Sequence, residues 1–285
     1  QITVGLGCFL ETLRIAAAQF GYKAEITPFP AGANQQNLDD RPVASIRLEQ
    51  DMSIAPDALF DQITKRRTDR SAFDTTVKIP TDVANDIAGS GGAGCFLVEE
   101  KSEIEALRKL TWDAWMVETN TPAKHHESID LTRIGRKEIE SSPDGISLSG
   151  AMMEGLNKVG LITREKLADP ETKAFEKTIE FMRPGIETAM AYAVVVTDGN
   201  DRTHQLSAGQ AYMRMNLTAT AKGVSMQPLS QALQEYIEME PLYTKAHELL
   251  AAPGQTIQML ARIGYGSGAQ PAPRWSLQSR IKNSG

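Results

Sequence analysis

Four cations crowd into Lys65-Arg66-Arg67-Thr68-Asp69-Arg70, within a 285-residue chain whose formal net charge is -6. Guanidiniums this close repel one another unless an anion lies between them, and arginine's planar fork matches a phosphate with two parallel hydrogen bonds. A solvated face is the commoner use of a charge run. For Arg70, an ion pair with Asp69 or Asp74 is the ordinary alternative to ligand binding. An acidic balance, with a pI near 5.4, lacks the broad basic surface a nucleic-acid binder needs. The cluster therefore predicts a small anion.

Other candidates carry less chemistry. The string Gly89-Ser90-Gly91-Gly92-Ala93-Gly94 lacks the Lys-Ser/Thr ending of a phosphate loop and runs into a strand-like segment, so a flexible loop is expected. His125, His126 and Glu127 are adjacent and point apart, a poor spacing for one metal. His204 and His247 are isolated and read as surface residues. Cys8 and Cys95 lie in apolar surroundings without a CxxC partner and read as buried thiols. No serine sits in a nucleophile-elbow pattern.

The elements that must position the arginines follow from apolar spacing. With 41% hydrophobic residues the chain can bury one large core or two modest ones, and no run reaches the roughly 20 apolar residues of a membrane span. Val4 to Phe20 reads as a core helix stopped at Gly21, followed by strands in "KAEITPFP" and "RPVASIRLEQD". A helix between Pro56 and Pro80 is expected to carry the arginines, then a short helix opened by Pro80 and a strand in "CFLVEE". Ser102 and Glu105 form a capping box for a long helix. Further helices are expected at Ala151–Val159 and from Asp169-Pro170 to Met182, ended by "RPG". "TAMAYAVVVTDGND" reads as a buried strand.

The chain also repeats itself. Ala208 to Val224 lies on Leu6 to Tyr22 without a gap: Gly7 falls on Gly209, Leu13 on Met215, Ile15 on Leu217, Ala17 on Ala219 and Gly21 on Gly223. Each copy continues into a proline-containing segment and then a strand, the second being "QTIQMLARIGYG". A duplicated unit is the expectation, its first copy beginning before Gln1.

The stretch "RRTDRSAFDTTVKIP" resembles the "RRSxRxF…vP" start of the FMN-dependent nitroreductase superfamily. "AGQAYMRMNLTATAKGVSMQPLSQAL" is similar to that superfamily's central helix and ring-facing loop, and "LARIGYGSGAQPAPRWSL" to its closing strand and tail. With the duplication, the chain looks like the fused, Acg-type branch, in which one chain holds two units. The resemblance implies an α+β nitroreductase-like fold with two tandem units forming an intramolecular pseudo-dimer. Residues 1–52 would be the end of the first unit and 53–285 the second, giving a monomer by internal duplication.

The resemblance further implies FMN as cofactor, with the phosphate on Arg66, Arg67, Thr68, Arg70 and, from the tail, Arg274. The flavin ring would rest on Pro228, Leu229, Ser230 and Gln231; a helix opening at "SQALQEYIEME" is the ordinary alternative for the last two. NADPH or NADH would be the electron donor and a nitro compound, quinone or similar small molecule the acceptor. The alternative is a flavin-binding or sequestering protein with a covered flavin and little turnover, and a third reading is an interaction module whose flavin site has decayed. The family's "PSxxNxQPW"-like stretch is absent from this sequence, and "PLSQ" replaces an acidic-Gly pair facing the flavin, which bears on redox tuning. Relatives of this type often carry a twin-arginine export signal, which points to the periplasm, with the cytoplasm as the other compartment.

Overall fold

The opening helix forms as α1 (Ile2–Gln19), followed by an antiparallel hairpin of β1 (Tyr22–Pro28) and β2 (Ala44–Gln50). After a long connection come α2 (Thr81–Gly91), β3 (Cys95–Val98) and α3 (Lys101–Asn120). A mostly helical segment holds α4 (Pro122–Asp130), β4 (Thr132–Ile134), α5 (Gly135–Ser141), β5 (Ile146–Leu148), α6 (Ala151–Lys158) and α7 (Arg164–Ala168). The chain then runs through α8 (Lys173–Glu187), β6 (Ala191–Thr197), α9 (Arg202–Ala221), β7 (Ser225–Pro228), α10 (Glu240–Leu250) and β8 (Thr256–Gly264). This computed structural model describes residues 1–281; residues 282–285, the end of the expected second unit, lie outside the described residues.

The central sheet has the order β3-β6-β8-β7 with every pairing antiparallel. Its middle strands are covered on both faces, which is why "AYAVVV" reads as a continuous apolar run rather than an alternating one. Ala191, Ala193, Val195, Met259, Ala261 and Ile263 face α1, α2 and α9. Tyr192, Val194, Val196, Ile257 and Leu260 face α3, α8 and α10. A small separate core of Ile129, Ile134 and Leu167 sits in the segment of α4 to α7.

Helices α1 and α9, whose sequences lie on each other without a gap, pack directly on each other. Their contact is reciprocal: Gly7 lies against Leu206 and Gly209, while Gly209 lies against Val4 and Gly7. At the same offset Val4 falls on Leu206, so each helix offers the other the same two positions. Their stops match too, at Gly21 (φ +72°) and Gly223 (φ +71°), and each is followed by strands that pair antiparallel. The β1–β2 hairpin is more exposed than the β7–β8 pair: neither β1 nor β2 has a fully buried residue.

Several expectations change. By length and composition α1 is apolar enough to cross a membrane, with a mean hydropathy of 1.2, although no such run was expected. Its α9-facing side carries the buried Glu11, which accepts hydrogen bonds from Arg14 (2.7 Å) and Arg214 (2.9 Å). The helix expected to carry the arginines is a single 3-10 turn, Phe60–Gln62, and Arg66 to Arg70 are not helical. A helix would stack Arg66 on Arg70 at i,i+4 with like charges together.

The glycine string is no flexible loop. Gly89–Gly91 close α2, and Gly94 (φ +77°) turns into β3 where a Cβ would stand 2.3 Å from the Val196 carbonyl. Ser102 caps nothing, because α3 already starts at Lys101. Helix α8 starts later than expected, capped by Thr172, whose hydroxyl accepts from the Phe175 N–H. It then passes through Pro184, where burial of Ile186 (0% exposed) favours another turn over an early stop. His247 is half-buried and works as a staple: its Nε2 accepts from the Ile257 N–H (3.1 Å), and its Nδ1 lies 2.9 Å from the Tyr243 carbonyl. His204 is likewise half-buried, beside Asp201 at 2.8 Å.

Candidate functional site

The arginine segment follows a turn that the Asp57 carboxylate helps to close by accepting from the Leu59 N–H (2.9 Å). Asp57 also accepts from Arg214 of α9 (2.9 Å), so the entry to the segment is tied to the Glu11–Arg214 contact between α1 and α9. Beyond the turn, Thr68 forms a parallel bridge with Met226 on the outer edge of β7. Thr68 thereby lies two positions before Pro228 along the same strand edge, so this bridge joins the arginine segment to the strand that leads into Pro228.

Asp69 turns inward and is 3% exposed. One carboxylate oxygen accepts from the Ser71 N–H (2.9 Å) and hydroxyl (2.7 Å), and the other from the Ser225 hydroxyl (3.2 Å) and the Gly268 N–H (3.3 Å). Burial pushes its pKa up, but these hydrogen bonds outweigh burial and hold it below the ordinary carboxylate value. One side chain thus pins the arginine segment, the start of β7 and the start of the tail.

Behind it lies Arg262 of β8, 0% exposed. Its Nε donates to Gln227 Oε1 (2.7 Å), and its Nη2 donates to the backbone carbonyls of Ser71 (2.7 Å) and Asp69 (3.2 Å). The guanidinium carbon stands 3.7 Å from the centroid of the Phe73 ring, a cation–π contact. Its Nη1 is buried without a hydrogen-bond partner among the described residues. Burial lowers the guanidinium pKa to about 10. Asp69, Ser225 and Arg262 went unrecognised as site residues in the sequence, since inward aspartates and strand arginines carry no local signal of burial.

Around this clamp the other cations of the segment form no ion pair among the described residues. Neither pair considered for Arg70 forms: Asp69 is committed as described, and Asp74 accepts from the Thr76 N–H (2.9 Å) and hydroxyl (2.6 Å). Among the described residues, Lys65, Arg66, Arg67 and Arg70 have no carboxylate within 4.0 Å. Arg67 donates only to backbone carbonyls, those of Thr64 (2.7 Å) and Arg66 (2.8 Å). Arg66 reaches toward α1 and α9 closely enough that its charge opposes the upward push of burial on the Cys8 thiol. A cleft of about 460 Å³ opens beside this segment, lined by Thr12 and Ala16 of α1 and by Phe60, Asp61, Ile63, Thr64 and Lys65.

The other predicted residues are placed as follows. Pro228 ends β7, and Leu229 is 2% exposed with its N–H donating to the Leu260 carbonyl (2.9 Å), so its side chain belongs to the core. Ser230 makes no capping bond, and the helix considered for "SQALQEYIEME" is only a 3-10 turn, Gln231–Leu233. Gln231 Oε1 is buried without a hydrogen-bond partner among the described residues. Close by, Glu118 of α3 accepts from Gln234, and burial raises its pKa above the ordinary value. Arg274 is exposed on the tail and donates to the Pro273 carbonyl (2.8 Å); its neighbour Trp275 donates to Asp144 (3.2 Å). The tail leaves Asp69 at Gly268, and no hydrogen bond joins Arg274 to Arg66, Arg67 or Thr68 among the described residues.

His125 is buried, with Nε2 2.8 Å from the Leu167 carbonyl, and no group of three or more metal-ligating side chains gathers among the described residues.

No sequence profile of a known family matches the chain, and no curated protein matches it. Among solved structures it is similar to a nitroreductase with bound FMN from Bacteroides fragilis, at 15% identity and a TM-score of 0.46, over 79% of this chain and 98% of that one. It is also similar to an FMN-dependent nitroreductase from Mycobacterium smegmatis in complex with NADPH, at 14% identity and a TM-score of 0.47, over 79% and 96%. A third is an oxidized iodotyrosine deiodinase bound to FMN and 3-iodo-L-tyrosine, at 15% identity and a TM-score of 0.44, over 80% and 98%.

Proposed function

We propose that this chain is an FMN-binding oxidoreductase of the nitroreductase type, passing a hydride from NADPH or NADH to a nitro compound, quinone or similar small acceptor. The observation that carries the proposal is the set of guanidiniums of Arg66, Arg67 and Arg70, without a carboxylate partner among the described residues, on a segment bridged to β7 ahead of Pro228 to Gln231. A dianionic phosphate fits such a set, because it relieves the mutual repulsion of the cations and accepts charge-assisted hydrogen bonds. Thr68 offers a hydroxyl for the same group, and the orphaned Gln231 Oε1 is an acceptor suited to a ring N–H. When bound, FMN would supply the hydride chemistry, so no side chain need serve as acid or base. Arg274 would join from the exposed tail.

The two-unit organisation belongs to the same proposal. Residues 1–52 would close a first nitroreductase-like unit and residues 53–285 form the second, packed as a pseudo-dimer within a monomer. The reciprocal Gly7–Gly209 crossing and the matched stops at Gly21 and Gly223 support it.

The test is a visible spectrum of the purified protein saturated with FMN, before and after anaerobic NADPH and, separately, NADH. Rapid bleaching of a bound flavin is the expected result. A flavin that binds and stays oxidised with both donors moves the protein to the sequestering alternative, and absence of binding ends both.

A further inference from the structure

We infer that Arg262 is a positioning residue for the anion-binding segment, holding Arg66, Arg67 and Thr68 in register for a phosphate from behind the sheet. The inference rests on the proposed function, in which that phosphate belongs to FMN.

A fully buried guanidinium is costly unless its N–H groups are satisfied. Arg262 has no carboxylate within 4.0 Å among the described residues, and what it does touch is concentrated on one short stretch. Two of its three hydrogen bonds go to the carbonyls of Asp69 and Ser71, and its face covers the Phe73 ring. The third goes to Gln227 of β7, the strand whose edge Thr68 joins. Gln227 is the cross-strand partner of Arg262 and is itself 5% exposed, so the donor is set from the sheet side. Backbone carbonyls offer no sequence signal and cannot be exchanged by mutation, so a planar donor reaching two of them fixes main-chain position. That stretch begins directly after Thr68. Asp69 holds the same stretch from its other side through Ser225 and Gly268, and the two side chains grip it between sheet and tail.

The test compares FMN with riboflavin, which has the same ring and no phosphate, by quenching of flavin fluorescence in the whole chain. Wild-type protein is expected to prefer FMN. Arg262→Met is expected to lose FMN affinity by about tenfold while riboflavin affinity stays within about twofold. Arg262→Lys keeps the charge and one donor direction, and is expected to fall between the two. If the Met variant does not fold, the Lys variant decides, since a lysine can occupy the site without the fork that spans both carbonyls. Equal losses for FMN and riboflavin would reduce Arg262 to general stability, and an unchanged preference in the Lys variant would likewise overturn the inference while leaving FMN binding intact. A wild-type protein with no preference for FMN would instead remove the phosphate assignment itself, and the inference with it.

Discussion

Gly7 and Gly209 meet where α1 crosses α9, each in the place its counterpart needs empty. A Cβ on Gly7 would stand 2.0 Å from the Leu206 carbonyl oxygen, and a Cβ on Gly209 would stand 2.0 Å from the Val4 carbonyl oxygen. Backbone faces backbone at both points, so neither side can yield by turning a side chain. The close approach also brings Cys8 Sγ to 3.2 Å from the Gly209 carbonyl and places Glu11 for Arg214.

Alanine at either glycine should therefore force the helices apart. Gly7→Ala and Gly209→Ala are each expected to destabilise the fold by about 1–3 kcal/mol in a denaturant titration. The double variant should cost less than the sum, because one displacement relieves both clashes. Gly5, on the same helix with nothing within 4 Å of its Cβ position, is the control. Gly5→Ala should stabilise by about 0.5–1 kcal/mol through helix propensity. A destabilising Gly5→Ala, or a neutral Gly7→Ala, would contradict the crossing geometry.

The proposed FMN phosphate site predicts loss of affinity when its arginines are truncated. Arg66→Ala and Arg274→Ala should each weaken FMN binding by about 1.5–3 kcal/mol, the worth of a hydrogen bond to a charged group. Titration of flavin fluorescence measures this directly. Unchanged affinity in both variants ends the assignment of the phosphate to these residues, and loss in Arg66→Ala alone leaves the tail outside the site.

Asp69 predicts an acid limb in stability. Its pKa is held below the ordinary carboxylate value, so in acid the unfolded chain binds a proton that the folded chain does not. Its contribution is complete above the unfolded value and is lost as pH falls through the folded one. Thermal melts from pH 6 downward should show a shallower acid loss for Asp69→Asn than for wild type, on a lower plateau at neutral pH. An identical acid slope would mean that Asp69 does not hold its proton-free form in the fold.

The two thiols should be inert. Burial pushes both Cys8 and Cys95 up to about 11. At pH 8 only about one molecule in a thousand would then carry a thiolate at either position. A chromogenic disulfide reagent should react slowly with native protein and promptly with both cysteines after unfolding. Fast labelling of the native state would place at least one thiol in an open, electropositive setting.

Much of the chain was legible because its signals are local. The apolar run of β6, the helical spacing of α1 and α9 and the glycines that stop them depend on residues near one another in sequence. Even the Gly7–Gly209 match was visible, although its meaning as a contact was not. The arginine cluster could be read as an anion site from charge and spacing alone, but its backbone could not. The amphipathic run up to Ile63 reads as a helix that carries on into the arginines, whereas the edge of β7, more than a hundred residues away, offers Thr68 a partner.

The sequence by itself determined which residues have the chemistry for an anion, which stretches are buried strands and core helices, and that the sequences of α1 and α9 lie on each other without a gap. Only the tertiary structure decided that Asp69 turns inward, that Arg262 lies beneath the same segment, and that α1 seats on α9 through paired glycines. Burial and long-range hydrogen bonds join residues far apart in the chain, and an aspartate or arginine looks the same in sequence whether it ends in water or beneath a sheet.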